Sequence, residues 1–342
     1  MKKIDNLIIG SGIGGLALGA EFTKNNLEFL IADKNQSIPK NLHNGIHYLH
    51  TDKLNLPFEC ELKEITSTEE IWNPRKDEFK KCAHLPEMVD YSIKVMGLRH
   101  PSSIMDPGSR PWKTFVPISN NMNDLLDSFE NYIGAENFLW ERKLIAIDAE
   151  NKIATFDWNQ REEKIQYENL ITTAPLTVTA KLLNLEHPEL KFQTLHITNY
   201  KTENIVANWL ISLYISDDLF PVYRVTHLNN ILSMESLKPL TEYEEHIIHY
   251  HLSRYFQYDT KTKETYSWES GRIWGISKEQ RRKILEKVIE KDIIPIGRYG
   301  LWNGKLEMSA TVEQAQIVVK SIKEIGGLEN KYNKQNLINS LS

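Results

Sequence analysis

The first 33 residues of the chain constrain its fold more tightly than any other segment. An apolar run over residues 4–9 predicts a buried strand, and helical apolar spacing begins at Leu16. Between them lies the glycine spacing Gly-x-Gly-x-x-Gly, and a second apolar run over residues 28–32 ends at Asp33. This order of strand, glycine turn, helix, strand and acid predicts a βαβ unit that binds a dinucleotide.

The glycines of this turn have distinct physical roles. Gly10 permits a tight turn, Gly12 leaves room for a pyrophosphate, and Gly15 lets the helix pack close to the strand. The N-terminus of the helix offers unpaired amides and a positive dipole end to the phosphates, and Asp33 can accept hydrogen bonds from a ribose diol. The residues predicted to bind the cofactor in this unit are Gly10, Gly12, Gly14, Gly15, Asp33 and Lys34.

Two features favour FAD over a nicotinamide as the dinucleotide. The chain has no second glycine fingerprint that could hold a separate nicotinamide. Near its C-terminus, an apolar run over residues 293–296, a Gly297-Arg298 turn and a helical pattern from Met308 could close over the same cofactor. We therefore predict FAD as the cofactor.

Four segments together carry a resemblance to a known family. They are the glycine fingerprint at 8–16, a turn and helix start at 115–126, a returning strand at 170–176, and the C-terminal motif at 297–308. These segments resemble the flavoprotein superfamily of amine oxidases, protoporphyrinogen oxidase-like proteins and UDP-galactopyranose mutases. The chain departs from that family at Ser119 and Asn120, which replace two expected turn glycines, and the segment 303–307 lacks the aromatic residues of the mutases.

The resemblance implies an α/β fold in which a Rossmann-type FAD-binding domain carries an inserted α+β substrate domain with an antiparallel sheet. The FAD-binding domain would be discontinuous, comprising residues 1–56, 115–180 and 290–326. The substrate domain would comprise residues 57–114 and 181–289, and residues 327–342 would form a polar tail.

The resemblance also implies three further contacts with the cofactor. The backbone of Ile145 would lie near the adenine, and Arg298 would approach the pyrophosphate. The segment from Met308 to Thr311 would direct a helix N-terminus at the pyrimidine end of the flavin, where negative charge develops on reduction.

Three residues are candidates for chemistry. His47 lies in a segment, 45–50, that resembles a Gly-x-His-x-x-His segment of the mutases, and it could hydrogen-bond the flavin or be a polar residue of an exposed loop. Arg224 stands among apolar strand residues, where it could clamp a substrate carboxylate or phosphate, or form an internal ion pair. Trp302 could form a wall of the pocket. Arg99, Arg110 and Arg272 are weaker candidates, because arginines usually lie at the surface.

The function implied is that of an FAD-dependent oxidoreductase, similar to amine oxidases, that removes a hydride from a C–N or C–C bond of a small substrate. One alternative is a non-redox flavoenzyme of the UDP-sugar mutase kind. Another is a flavin lyase or oxidase that acts on an amine carried on a modified nucleobase.

The composition of the chain argues against several classes of partner. Lys and Arg number 41 against 46 Asp and Glu, and this net charge of −5 gives no electrostatic reason to expect a nucleic acid as the main partner. The two cysteines cannot build a Cys-rich zinc site, so we predict no metal. No apolar run reaches the roughly 20 residues of a membrane span, and the early strand leaves no room for a signal peptide. We expect a cytoplasmic protein with a small-molecule substrate and no membrane partner.

Overall fold

Two mixed sheets organise the chain in the computed structural model, which describes residues 1–39, 45–50, 55–81, 86–97, 113–304 and 306–325. Strands and helices are numbered in chain order. The predicted tail at 327–342 lies outside the described residues. So do one of the two cysteines, Cys82, and the weaker candidates for a contact with cofactor or substrate, His43, Arg99, Arg110 and Lys305.

The first sheet contains the predicted βαβ unit. Its strands lie in the spatial order β7 (Phe138–Leu139), β2 (Phe29–Ala32), β1 (Lys2–Ile9), β10 (Arg161–Thr172), β9 (Ile153–Trp158) and β8 (Lys143–Asp148), and β14 (Ile293–Pro295) also pairs with β10. β1 is parallel to β2 and β10, whereas β8, β9 and the start of β10 form an antiparallel meander. β2 is buried at every residue, which is expected of a parallel strand covered on both faces.

Six helices accompany this sheet. They are α1 (Ile13–Lys24), α3 (Met122–Ile133), α4 (Leu176–Leu182), α6 (Lys278–Glu290), α7 (Gly297–Gly300) and α8 (Met308–Ile325), and residues 135–137 form a short 3-10 helix. α1 packs against α3 and α8, and α6 packs against β14. Apolar side chains from these helices and strands share one hydrophobic core, so the first and last parts of the chain fold together.

The second sheet is built around one long ribbon. Its strands lie in the order β12 (Val222–Ser236), β11 (Phe192–Tyr214), β4 (Leu62–Asn73), β6 (Thr114–Pro117) and β3 (Leu49–His50), with β13 (Tyr258–Ile273) on β11 and β5 (Glu78–Lys81) on β4. β11 pairs with β12 and β13 in antiparallel fashion and with β4 in parallel. Two helices pack on this sheet in separate apolar clusters, α2 (Pro86–Met96) and α5 (Glu242–Leu252).

The ribbon of β11 and β12 is folded back on itself. The pairing register shifts twice between Lys201 and Leu210, and on β12 Asn229 adopts a left-handed conformation with φ of 56°. As a result the amide of Leu237, just after β12, donates to the carbonyl of Pro221, just before it (3.2 Å). The bend therefore brings the two ends of one strand together.

The observed architecture confirms the predicted fold class, with a Rossmann-type unit and a second, largely antiparallel sheet. The domain division stays a proposal. Two features of the fold bear on its boundaries: β3 and β6 belong to the second sheet, and α6 contributes Ile284 and Val288 to the core of the first. Among the described residues, no helix combines the length and apolar character needed to cross a bilayer.

Candidate functional site

The glycine turn after β1 is shaped by close backbone packing. Gly10 has φ of +98°, and its amide donates to the carbonyl of Ala32 at the end of β2 (2.8 Å). A Cβ atom at Gly10 would overlap the hydroxyl of Thr173, and one at Gly15 would overlap the carbonyl oxygen of Gly10. Any side chain at either position would therefore push the turn, α1 and the strands apart.

Gly12 differs from these glycines because the space beside it is open. A Cβ atom there would meet no atom within 4 Å. Gly12 is the N-cap residue of α1, its position carries no side-chain cap, and the first turn of the helix holds no acidic residue. The amides at this helix end therefore face an open cradle at the positive end of the helix dipole, which suits a phosphate.

Asp33 connects the end of β2 to the glycine turn. Its buried carboxylate accepts from the amide and the hydroxyl of Ser11 (2.6 and 2.8 Å) and from the amide of Asn35 (2.8 Å). A carboxylate has about four acceptor positions, so one remains for a ribose hydroxyl. Lys34 is exposed and lines an open polar cleft of about 610 Å³ with Gln36, Glu141 and other residues.

Ile145 lies three residues beyond Arg142, which contacts Asp33. The amide of Arg142, three residues earlier, donates to the carbonyl of Asp33 (2.7 Å). Within β8 the register shifts between Leu144 and Ala146, so Ile145 falls at a bulge, where the backbone lacks a ladder partner. The contact of the Ile145 backbone with the adenine stays a prediction.

The C-terminal motif meets the glycine turn through Thr311. The methyl group of Thr311 lies 3.4 Å from a Cβ position at Gly14 and 3.7 Å from one at Gly297. Gly297 has φ of +75°, and its amide donates to the side-chain oxygen of Gln314 on α8 (3.2 Å). The N-terminal turns of α1 and α8, the latter beginning at Met308, therefore converge on the loop after β14.

Arg298 follows Gly297 in α7. Its side chain is solvent-exposed, and its Nε donates to the carbonyl of Leu306 (3.0 Å). Burial lowers its pKa all the same, and the positive charges of Arg272 and Arg224 add to this effect. Arg272 and Arg224, which belong to the second sheet, therefore lie close enough to Arg298 for their charges to act on it.

Arg224 and Arg272 share one buried carboxylate, that of Glu235. Arg224 donates to Glu235 through both Nε (2.9 Å) and Nη2, and Arg272 donates through Nη2 (3.1 Å). Tyr223 also donates to Glu235, receives a hydrogen bond from Nε of Arg272 (2.8 Å), and lies with its ring centre 4.5 Å from that guanidinium. We call Arg224, Arg272, Arg298 and Glu235 the arginine cluster.

The arginine cluster carries excess positive charge. Burial alone would raise the pKa of Glu235, but Arg224 and Arg272 outweigh it and lower this pKa to about 2, so the carboxylate stays ionised. A second acid, Glu69, lies near Arg224, and burial raises its pKa. Two guanidiniums thus share one ionised carboxylate, which leaves positive charge to pair with an anion.

Tyrosines line the same region. Tyr91 on α2 is 3% exposed, and its hydroxyl has no hydrogen-bond partner among the described residues. Its ring packs edge-on against Tyr214 and Tyr223 (5.3 and 6.2 Å between ring centres). Tyr214 in turn donates to Glu69 (2.9 Å). Burial raises the pKa of Tyr91, so its hydroxyl stays protonated and can donate.

The segment that holds His47 lies against the arginine cluster. A Cβ atom at Gly45 would lie 3.8 Å from Nε2 of His47 and 4.0 Å from a carboxylate oxygen of Glu235. His47 is half-buried, and Tyr48 lies with its hydroxyl 3.4 Å from that of Ser212. Two of the predicted catalytic residues, His47 and Arg224, are therefore brought together around Glu235.

Trp302 lies within the core. It is 2% exposed, its indole N–H donates to the carbonyl of Trp274 (2.9 Å), and its ring packs on Phe192 (5.0 Å). A side chain with so little exposed surface is better placed to support the C-terminal motif than to form a wall of the pocket. The catalytic role of Trp302 stays a prediction. Within the described ranges, no group of three or more His, Cys, Asp or Glu side chains could hold a metal.

Glu235, Tyr223 and Tyr91 were not predicted from the sequence, and Arg272 was ranked low. One signal was available: Glu235 is a lone carboxylate in the strand segment Leu232-Ser233-Met234-Glu235-Ser236, where a buried charge needs a partner. The identity of that partner depends on the bend in β12, which no local pattern reveals.

No family model and no curated protein matches the sequence. Solved structures do match the fold along nearly all of the chain. A reduced UDP-galactopyranose mutase aligns with a TM-score of 0.69 and 14% identity, covering 99% of this chain and 98% of that one. A geranylgeranyl bacteriochlorophyll reductase-like protein from Thermoplasma acidophilum aligns at 0.61 and 10%, covering 98% and 82%. An oxidoreductase from Methanosarcina mazei aligns at 0.61 and 12%, covering 92% and 100%.

Identities this low establish the fold alone, and the resemblance drawn from the sequence motifs is confirmed at that level. The chain has the fold of the Rossmann-type, FAD-binding flavoproteins.

Proposed function

We propose that this chain is an FAD-dependent oxidoreductase that removes a hydride from a C–N or C–C bond of a small substrate carrying an anionic group. The observation that carries the cofactor assignment is the open cradle at Gly12, where α1 begins without a side-chain cap. In the same turn, side chains at Gly10 and Gly15 would clash, so the open space at Gly12 is specific to that position.

The residues around this cradle fit the parts of FAD. The amides at the start of α1 would bind the pyrophosphate, Asp33 the ribose, and the N-terminus of α8 the pyrimidine end of the flavin. Lys34, Ile145, Arg298 and Thr311 remain proposed contacts of the same cofactor. Bound FAD would supply the hydride-accepting ring that no side chain of the protein can replace.

The arginine cluster supports the substrate assignment. Arg224 and Arg272 are held in place by Glu235, and their shared excess charge would bind a carboxylate or phosphate. The hydroxyl of Tyr91, which has no hydrogen-bond partner among the described residues, would donate a further hydrogen bond, because a buried donor is costly when it is left unpaired. His47, beside Glu235, would hold a hydrogen bond to the flavin ring or to the substrate.

A second function has specific support. The alignment with a reduced UDP-galactopyranose mutase covers both chains almost completely, and the arginine cluster also fits a diphosphate. The alternative is a non-redox enzyme that acts on a sugar nucleotide and consumes no oxidant.

An anaerobic titration separates the two functions. The flavin spectrum of the purified protein would be followed while amines, amino acids, an aminated nucleobase and sugar nucleotides are added one at a time. We expect one anionic compound to bleach the flavin, with recovery in air. If no compound bleaches it, and the chemically reduced protein rearranges a sugar nucleotide, the oxidoreductase proposal is wrong.

A further inference from the structure

Lys94 on α2 is a buried lysine outside the arginine cluster and the glycine turn. It is 9% exposed, and its ammonium donates to three carbonyls, those of Ile215 (3.1 Å), Asp217 (2.6 Å) and Val222 (3.1 Å). An ammonium has three N–H donors, so all of them are used. A buried charge with such a complete set of backbone partners is a specific structural feature.

The three carbonyls belong to the connection between β11 and β12. Ile215 directly follows Tyr214, the last residue of β11, and Val222 is the first residue of β12. Lys94 therefore joins both ends of this connection to α2. Arg224 of the arginine cluster lies two residues beyond Val222.

α2 contacts the same two strands a second time, through Tyr91. Tyr91 precedes Lys94 by three residues, so both side chains lie on one side of the helix. Its ring packs between Tyr214 and Tyr223, the immediate neighbours of Ile215 and Arg224. Lys94 thus fixes the backbone beside both strand tyrosines that Tyr91 touches.

We infer that Lys94 is a positioning residue, whose ammonium sets the place of Arg224 and Tyr91 in the anion site by fastening α2 to the β11–β12 connection. The inference rests on the proposed role of the arginine cluster. In this role Lys94 itself contacts neither cofactor nor substrate.

The pKa of Lys94 lies within the pH range of a binding experiment. Burial lowers its pKa to about 8, with Asp218 and Asp217 acting in the opposite direction. The other titratable groups around it are Arg75, which pairs with Asp217, and Tyr91, whose pKa is raised by burial. Asp217 and Arg75 keep their charges between about pH 7 and 9, because their pairing lowers the pKa of the carboxyl and raises that of the guanidinium. Loss of a proton from Lys94 removes one of its three hydrogen bonds.

Sulfate is a suitable probe, because it is a tetrahedral dianion whose charge is constant from neutral to alkaline pH. Isothermal titration of the flavin-loaded protein at constant ionic strength would compare the wild type with Lys94→Met. We expect the variant to bind sulfate about tenfold more weakly at pH 7, a size typical of positioning effects. Wild-type affinity should also fall as the pH passes about 8, whereas that of the variant should not.

Two further variants complete the test. Lys94→Arg keeps donors and charge but does not titrate near pH 8, so it should retain sulfate binding and lose the pH dependence. Lys80→Met removes an exposed ion pair that also reaches α2, through Glu87 (2.6 Å), and should bind sulfate like the wild type.

The possible outcomes separate the lysine from the anion site. Equal sulfate affinity in the wild type and in Lys94→Met, with Arg224→Met weakened, would overturn the role of Lys94 and leave the anion site standing. A Lys94→Arg protein that keeps the pH dependence would overturn the role of Lys94 as well. A flavin-loaded wild type that binds no sulfate would overturn the anion site itself.

Discussion

At the scale of single residues, Glu235 organises the candidate substrate site. Its carboxylate accepts from Arg224, Arg272 and Tyr223, and each of these side chains is at least partly buried. Burying an ion pair costs solvation energy, but removing one partner from a buried pair is more costly, because the remaining charge is left uncompensated. Glu235 therefore holds two arginines in place while leaving part of their charge for a ligand.

Replacing Glu235 tests this role through pH. The pKa of Glu235 is about 2 in the folded protein, against an ordinary value of 4.5, so its ionisation stabilises the fold above about pH 4.5. That contribution is lost as the pH falls from 4.5 towards 2. Glu235→Gln should lower the free energy of unfolding at pH 7 by about 3 kcal/mol, and the difference should shrink at pH 3.5.

Urea unfolding of both proteins at the two pH values measures the difference. Glu168→Gln is the control. Glu168 pairs with Lys152 at an exposed position, where an ion pair contributes less than about 1 kcal/mol to the free energy of unfolding. A Glu235→Gln effect of the same size at pH 7 and pH 3.5 would contradict the role given to Glu235.

Some features of single residues could be predicted from the sequence, and others could not. The need of Arg224 for a partner could be predicted, since a charge among apolar strand residues must be compensated. Gly12 could be assigned from the fingerprint, and its open surroundings agree with that assignment. Gly14 lies at a variable position of the fingerprint and faces Thr173 and Thr311, and its contact with the cofactor stays a prediction.

At the scale of elements, the bend in β12 builds the site. Arg224 and Glu235 lie near opposite ends of this strand, and a straight strand would hold them far apart. The left-handed conformation of Asn229 lets the strand turn back, and asparagine tolerates that conformation better than most residues.

Substitution at the bend should depend on backbone conformation. Asn229→Val places a β-branched residue at φ of 56° and should destabilise the protein by about 1–2 kcal/mol, whereas Asn229→Gly should be nearly neutral. Asn230→Val is a matched control, because Asn230 is an exposed neighbour without a positive φ. Urea unfolding compares the variants; equal losses in the two valine variants would mean that the bend is not strained in this way.

Elements were predictable where their pattern is local. The alternation of apolar and polar residues over 209–215 and 222–225 predicts two strands, and residues 209–214 and 222–225 do lie in β11 and β12. The parallel pairing of β11 with β4 was not predictable, because strand partners distant in sequence are chosen by tertiary packing. α2 was not predicted, although its apolar residues Met88, Tyr91 and Val95 have helical spacing.

At the scale of the whole molecule, the fold brings distant segments to one place. The turn after β1, the loop after β14 and the start of α8 converge around Thr311, although about 300 residues separate Gly10 from Thr311. This convergence followed from the sequence, because parallel strands place their carboxyl ends at one edge of a sheet. The other side of the site, with Arg224, Arg272 and Glu235, is formed by the second sheet. The alternating pattern predicts strands of that sheet but not how they fold around the site.

Flavin binding by the wild type and by Gly12→Leu tests the cofactor assignment, on which the proposed function depends. It is measured from the visible absorption spectrum of each purified protein after incubation with FAD and gel filtration. We expect a yellow wild type and a colourless variant that is equally well folded, because a side chain at Gly12 fills only the cradle. Gly15→Ala should instead lose stability, since its Cβ would overlap the backbone of Gly10. A Gly12→Leu protein that retains flavin as well as the wild type, or a folded wild type that takes up none, would contradict the assignment of FAD to this turn.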